Sequence, residues 1–240
     1  MKYLIRKEIA GFFSSAIGYV ILLVWFLAAS LMLWFFNGEY NLPDGGYATL
    51  RPFFSLSPIL FLLLVPATTM RMFAEENRMG TLELLFSRPI KISTIVLSKF
   101  WSAWLLMIIA LVPTIIYVIS VYLLSTTGID WGETAGGYCG LLCLLATFVS
   151  FGLFTSSLTN NQLVAFLLAI LLSFSAFYGF ELIASLTTSG SLHNGWVQLG
   201  IQAHYQSMAR GVIDTRDLIY FASITIFFIY LTIQVNTRKR

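Results

Sequence analysis

Residues 52–99 read PFFSLSPILFLLLVPATTMRMFAEENRMGTLELLFSRPIKISTIVLSK: nineteen residues without a charge, followed by 29 that carry eight, Arg71, Glu75, Glu76, Arg78, Glu83, Arg88, Lys91 and Lys99. About 20 apolar residues in a helix cross the roughly 30 Å of bilayer hydrocarbon, so the first part reads as a spanning helix. The second part cannot follow it into lipid, because unpaired charge in a low-dielectric medium is strongly disfavoured. A membrane helix with a polar insert behind it is therefore the unit from which the fold is read.

The rest of the chain extends that reading. It is 58% apolar and only 10% charged, with a mean hydropathy of +0.83, whereas soluble domains average about 25% charged residues. Charge-free runs place a first span within Ile9 to Gly38, a second over 52–70 with Pro58 and Pro66 inside it, and a third beginning at Phe100. The run from Ala135 to Phe180 is too long for one helix, and Thr159-Asn160-Asn161-Gln162 divides it, since consecutive amides suit a tight turn. A final span lies before Arg238. The expectation is one all-α integral membrane domain over residues 1–240, with six transmembrane helices at about 17–36, 53–70, 100–124, 138–158, 163–180 and 218–235. The uncharged stretch from Leu182 to Ala209 is too polar for hydrocarbon, with His193, Asn194, Gln198, Gln202, His204 and Gln206, and suits short extracytoplasmic helices between the fifth and sixth spans. Asp214 is expected to cap the sixth.

Charge orients the bundle. With both termini on the cytoplasmic side, that face holds 11 basic residues (Lys2, Arg6, Lys7, Arg71, Arg78, Arg88, Lys91, Lys99, Arg238, Lys239 and Arg240) against Arg51, Arg210 and Arg216 on the other. This is a positive-inside pattern. Met1 to Phe12 mixes Lys2, Arg6, Lys7 and Glu8 with apolar residues, as in an N-terminal amphipathic elbow helix on the membrane surface, although the segment also serves as a simple topogenic anchor. The apolar run behind it is too long for a signal-peptide core, so it reads as a retained span.

Several chemistries find no residues to carry them. There is no G-x-x-x-x-G-K-[ST] phosphate loop and no H-E-x-x-H, and the two histidines, His193 and His204, fall outside the expected spans. Serine-histidine and metal-dependent proteolysis at membrane depth are disfavoured, no metal or cofactor site is expected in this chain, and nothing points to a nucleic-acid partner. The helix cores as drawn hold no ionisable group, which argues against an ion-coupled carrier. Glu181, at the outer end of the fifth span, is a candidate outer gate or substrate contact, or else an acid reaching the interface. Gly136-x-x-x-Gly140 matches a close-packing motif at a helix entrance, where glycines also end loops. Ser150, Thr155, Ser156 and Ser157 line the inner end of the fourth helix, ready to bond across to a neighbour or to soften it.

The insert then reads as an extension of the second helix through Met79, a break at Gly80, and a short helix from Thr81, as N-cap, to about Ser87. Arg88-Pro89 ends it, and Ser93 or Thr94 caps the run into the third span. Leu82, Leu85 and Phe86 interleaved with Glu75, Glu76 and Glu83 suit an amphipathic element seated in a protein groove. A solvated loop on lipid headgroups fits less well, since three acids would sit beside an anionic leaflet.

These residues also resemble a known signature. Glu75-Glu76, Met79-Gly80-Thr81-Leu82-Glu83-Leu84-Leu85, Pro89-Ile90 and Ile95 to Lys99 are similar to the stretch after the second helix in ABC-2 type permeases, and Lys7-Glu8 and Tyr205, Arg210-Gly211-Val212-Ile213-Asp214 and Asp217 agree with the pattern elsewhere. Within the family the chain most resembles the gliding-motility-associated permease subunits. The resemblance implies a transporter subunit and not an enzyme, seated on a cytoplasmic ABC ATPase that binds ATP and Mg²⁺, paired with a second permease subunit, in the bacterial inner membrane. It further implies that Glu75, Glu76, Gly80, Thr81, Leu82, Glu83, Leu84, Leu85 and Pro89 form a cytoplasmic coupling helix and its flanks. An ATP-independent transporter or channel, or a membrane scaffold, are the competing readings.

Overall fold

Eleven helices account for most of the computed structural model, which describes residues 1–44, 48–81, 91–126, 128–187 and 190–239; it is 84% helical, with no strand among the described residues. They are α1 (Lys2–Ser14), α2 (Ala16–Trp34), α3 (Arg51–Thr69), α4 (Arg71–Arg78), α5 (Ile92–Leu111), α6 (Ile115–Leu124), α7 (Trp131–Leu158), α8 (Gln162–Leu186), α9 (Gly190–Leu199), α10 (Ile201–Ala209) and α11 (Thr215–Arg238). Five continuous or gently broken rods are long and apolar enough to cross a membrane: α3 with α4, α5 with α6, α7, α8 and α11. A sixth candidate is the pair α1 and α2, apolar and long enough when taken together and bent by 72° where they join. The protein is thus an all-α, multi-pass membrane bundle.

Helix α7 is the central post. It is the most enclosed of the rods and packs on α11, α3, α8, α10, α5 and α4. Large apolar residues of α8 and α11, such as Leu167, Leu171, Ile226 and Phe227, remain exposed on the outside of the bundle, as lipid-facing residues do. Pro113 interrupts the third span with one 3₁₀ turn, Val112–Thr114, since proline lacks the donor that the α-ladder needs. Near it the Ala110 carbonyl accepts from Trp25 Nε1 at 3.2 Å, and Trp25 stacks on Phe61 at 4.6 Å, which docks α2.

Local signals place several boundaries where the sequence puts them. α7 stops at Leu158 and α8 starts at Gln162, with Asn161 Oδ1 accepting from Leu163 N at 2.9 Å. Asp214 Oδ1 accepts from Arg216 N at 2.9 Å and caps α11. The polar stretch after the fifth span forms α9 and α10, two short helices, and both histidines bond within it: His193 Nδ1 donates to the Ala184 carbonyl at 2.9 Å, and His204 Nε2 to that of Gln198 at 2.9 Å.

Three helices are longer than expected. α7 starts at Trp131 instead of about 138, because Asp130 caps it through Gly132 N at 2.8 Å and Glu133 N at 3.1 Å. Gly136 and Gly140 therefore lie inside the helix, and a Cβ on Gly136 would fall 2.6 Å from the Met208 carbonyl oxygen; they are packing glycines and end no loop. α8 passes through Glu181 to Leu186, since that side chain is exposed and its charge does not oblige the helix to stop. α5 starts at Ile92, just ahead of the cap expected at Ser93 or Thr94 and eight residues before the span expected from 100, and neither side chain caps it.

Candidate functional site

The second span does not run straight out of the bundle. α3 ends at Thr69, Met70 intervenes, and α4 carries the chain on to Arg78. Such a break frees backbone groups, and in an apolar interior each must find a partner. Ser156 of α7 supplies it: its hydroxyl accepts from Phe73 N and Ala74 N, each at 3.1 Å, and donates to the Met70 carbonyl at 2.9 Å. Three backbone groups of the break thus converge on one side chain. Gly152, one turn earlier on α7, allows the approach, because a Cβ there would overlap Thr69. Of the small polar residues at this end of α7, only Ser156 bonds across to α3 and α4 among the described contacts; Ser150, Thr155 and Ser157 donate to carbonyls three residues back in their own helix.

Beside this break sits the most buried charge among the described residues. Lys99 of α5 is 2% exposed. Its Nζ lies 3.0 Å from Glu8 Oε1 of α1 and 3.0 Å from Glu76 Oε2 of α4, donates to the Met72 carbonyl at 2.7 Å, and rests 5.1 Å from the centre of the Phe73 ring. The contact to Glu8 is an aligned hydrogen bond, while that to Glu76 is an ion pair without hydrogen-bond alignment. A buried ammonium persists only when it is paired and its protons are bonded, and here two acids and a carbonyl do so, with the aromatic face adding a cation–π contact. α1, α4 and α5 meet at one atom.

Lys99 stands one residue before the third span as expected from the sequence, inside the helix that continues into it. That helix starts at Ile92, eight residues before the span expected from 100, and it tolerates the buried lysine because its counter-charges come from elsewhere. A lone lysine after Ile95-Val96-Leu97-Ser98 was the available signal; its partners are 91 and 23 residues away.

The expected coupling residues divide into two groups. Glu75, Glu76, Gly80 and Thr81 are described: both acids lie on α4, Met79 caps that helix, and Gly80 takes φ +67, a left-handed conformation that glycine adopts readily. Thr81 Oγ1 donates back to the Glu76 carbonyl at 3.4 Å. Leu82, Glu83, Leu84, Leu85 and Pro89, with the short helix expected there, lie outside the described residues.

At the opposite end of the bundle, Glu133 is 7% exposed and pairs with Arg51 Nε, while Thr49 Oγ1 lies 3.4 Å from the same carboxylate oxygen. His204 Nδ1 meets Asp217 Oδ1 at 2.6 Å and its ring stacks on Tyr220 at 4.0 Å. Tyr205 is buried and donates to the Phe54 carbonyl at 2.6 Å; burial pushes its phenol well above the usual tyrosine range. A cavity of about 420 Å³ opens here between α3, α8 and α10, bordered by Arg51, Tyr178, Gln202 and Arg210. Glu181 does not border it. It lines a small separate recess with Gln202 and Gln206. Among the described residues, no three of His, Cys, Asp and Glu come together as metal ligands.

The chain's residues 56–236 match the family model of the ABC-2 family transporter proteins. No curated protein matches the chain.

Proposed function

We propose, from the premise that this chain belongs to the ABC-2 transporter family, that it is the membrane subunit of an exporter in which a separate cytoplasmic ATPase supplies the driving force. The family assignment makes the chain a multi-pass permease whose ATPase is a partner chain; export, the residues of coupling and the biological setting are our reading. The α4 end of the bundle faces the cytoplasm in the bacterial inner membrane, with both termini on that side, as the distribution of basic residues favours. Glu75, Glu76, Gly80, Thr81, Leu82, Glu83, Leu84, Leu85 and Pro89 form the ATPase-docking segment. A second permease subunit completes the pathway, and the system serves gliding motility or secretion, by resemblance to the permeases of that group.

The observation that carries this reading is the Lys99 cluster. A segment that receives force must be tied to the helices it is to move, and α4 is tied twice: to α1 and α5 through Lys99, and to α7 through Ser156. Displacing α4 changes the geometry of both ties together, so motion at the insert passes into the bundle and is not absorbed by a loose loop.

Affinity capture of the tagged chain from native membranes tests the proposal. The expected result is co-purification of a P-loop ATPase and a second permease subunit, with Glu83→Lys or Leu85→Glu losing the ATPase while still inserting into the membrane. Unchanged capture and unchanged ATPase turnover in both variants would remove the insert from the coupling role.

A further inference from the structure

Under the 72° bend between α1 and α2 lies a cavity of about 380 Å³, closed on its far side by α4 and the end of α3. That size is within the range of small-molecule sites. Its lining is graded. Along α1 it passes from Lys7 to Phe12, along α3 and α4 from Ala67 to Arg71 and Glu75, and α2 adds Ile21. The same gradation, from charged to apolar, runs along a phospholipid from headgroup to acyl chain.

Arg71 indicates what the charged end lacks. Its Nε is buried and has no hydrogen-bond partner among the described residues. A guanidinium has only donors, so the missing partner is an acceptor, and an unsatisfied buried donor on a charged group is more unfavourable than on a neutral one. A simple anion answers this incompletely. Glu8, Glu75 and Glu76 also border the cavity and, with Lys99 held by two of them, balance Lys7, Arg71 and Lys99, so a lone anion would leave the site with a net negative charge. A ligand that presents a phosphate to Arg71 and a cation to the acids satisfies both needs.

We propose that this cavity binds a zwitterionic aminophospholipid of the phosphatidylethanolamine class. The phosphate accepts from Arg71 and Lys7, the primary ammonium donates to Glu75, and the acyl chains leave along Ile21 and Ala67 toward the hydrocarbon. The site joins α1 to α4 through the ligand, beside the direct link through Lys99. It depends on no ATPase and stands or falls separately from the coupling role.

The test is native mass spectrometry of the purified full-length chain in mild detergent, titrated with phosphatidylethanolamine, phosphatidylcholine and phosphatidylglycerol of matched acyl chains, and with inorganic phosphate as competitor. One phosphatidylethanolamine is expected to remain bound, about tenfold tighter than phosphatidylcholine, whose quaternary ammonium cannot donate to a carboxylate. Arg71→Met should weaken it by about tenfold or more, and Glu75→Gln should remove the preference over phosphatidylcholine while leaving phosphatidylcholine binding unchanged. Gly11→Leu provides a variant that preserves the charges: a Cβ at Gly11 meets nothing within 4 Å, so the larger side chain fills the cavity without displacing a neighbour at its base. It should abolish retention of the lipid. Equal retention in the wild type, Arg71→Met and Gly11→Leu would overturn the site. Preference for phosphatidylglycerol, or displacement by an equal concentration of inorganic phosphate, would overturn the zwitterionic assignment.

Discussion

Replacing Lys99 by methionine should be among the most damaging single changes at the α4 end. The substitution keeps most of the side-chain volume and removes the charge, so its effect is electrostatic and not a packing defect. In its absence Glu8 and Glu76, whose side chains are 20% and 17% exposed, lose the ammonium they share, and the Met72 carbonyl loses a donor. Removing one partner of a buried ion pair costs about 3–5 kcal/mol. For a chain of this size that corresponds to a fall in melting temperature of roughly 6–20 °C. The acids should behave differently. Lys99 has two of them, so Glu76→Gln leaves an intact Lys99–Glu8 pair with aligned geometry, and its cost should be about 1 kcal/mol, that of one surface-like ion pair. Glu8→Gln breaks the aligned bond and should fall between the two. Thermal unfolding of the purified variants in one detergent measures the order, and a double-mutant cycle between Glu8 and Lys99 measures their coupling. Should Lys99→Met melt with the wild type, or Glu76→Gln prove the more damaging change, the lysine would not be the centre of the cluster.

Ser156→Ala removes the acceptor of Phe73 N and Ala74 N and the donor to the Met70 carbonyl, and is expected to destabilise by about 2–3 kcal/mol; faster amide hydrogen exchange at residues 73 and 74, with the rest of α7 unchanged, would identify the break between α3 and α4 as the place that loosens. Tyr205→Phe should cost about 1–2 kcal/mol at neutral pH through the lost bond to the Phe54 carbonyl. Its effect on alkaline behaviour has a definite sign: the folded phenol titrates above 10 and the unfolded one near 10, so the unfolded state loses its proton first, and stability present below pH 10 declines above it. The variant should show a smaller alkaline decline in melting temperature, and an unchanged profile would mean that Tyr205 is not the group responsible.

Much of the architecture was legible from local signals. The polar break at Thr159 to Gln162, the cap at Asp214 and the two short helices after the fifth span depend on a few neighbouring residues, and each is present as read. The boundaries that moved share a cause. Glu133, Glu181 and Lys99 looked like places where a helix should begin or end, because a charge in lipid is unfavourable. Glu133 instead lies in the first turn of a helix that Asp130 caps and pairs with Arg51, Glu181 stays exposed, and Lys99 is neutralised by side chains from two other helices. The residues of the α4 end were partly legible. Glu75 and Glu76 stood out as acids in a basic face, but which of them points inward was not written in the pair.

What the sequence determined by itself is the solvent of each segment: which stretches enter hydrocarbon, where the chain must turn, and which face gathers the basic residues. Tertiary structure alone decided which side of each helix meets another. In water an amphipathic stripe marks the buried face, but lipid is as apolar as the protein interior, so a spanning helix can be apolar all round and its periodicity is silent about packing. The marks that remain are small or polar: Gly152 under Thr69, Ser156 on a broken helix, and Lys99 between two glutamates. Each has meaning only once chain segments far apart in sequence are brought together, because a hydrogen bond or an ion pair is defined by a distance that no single stretch contains.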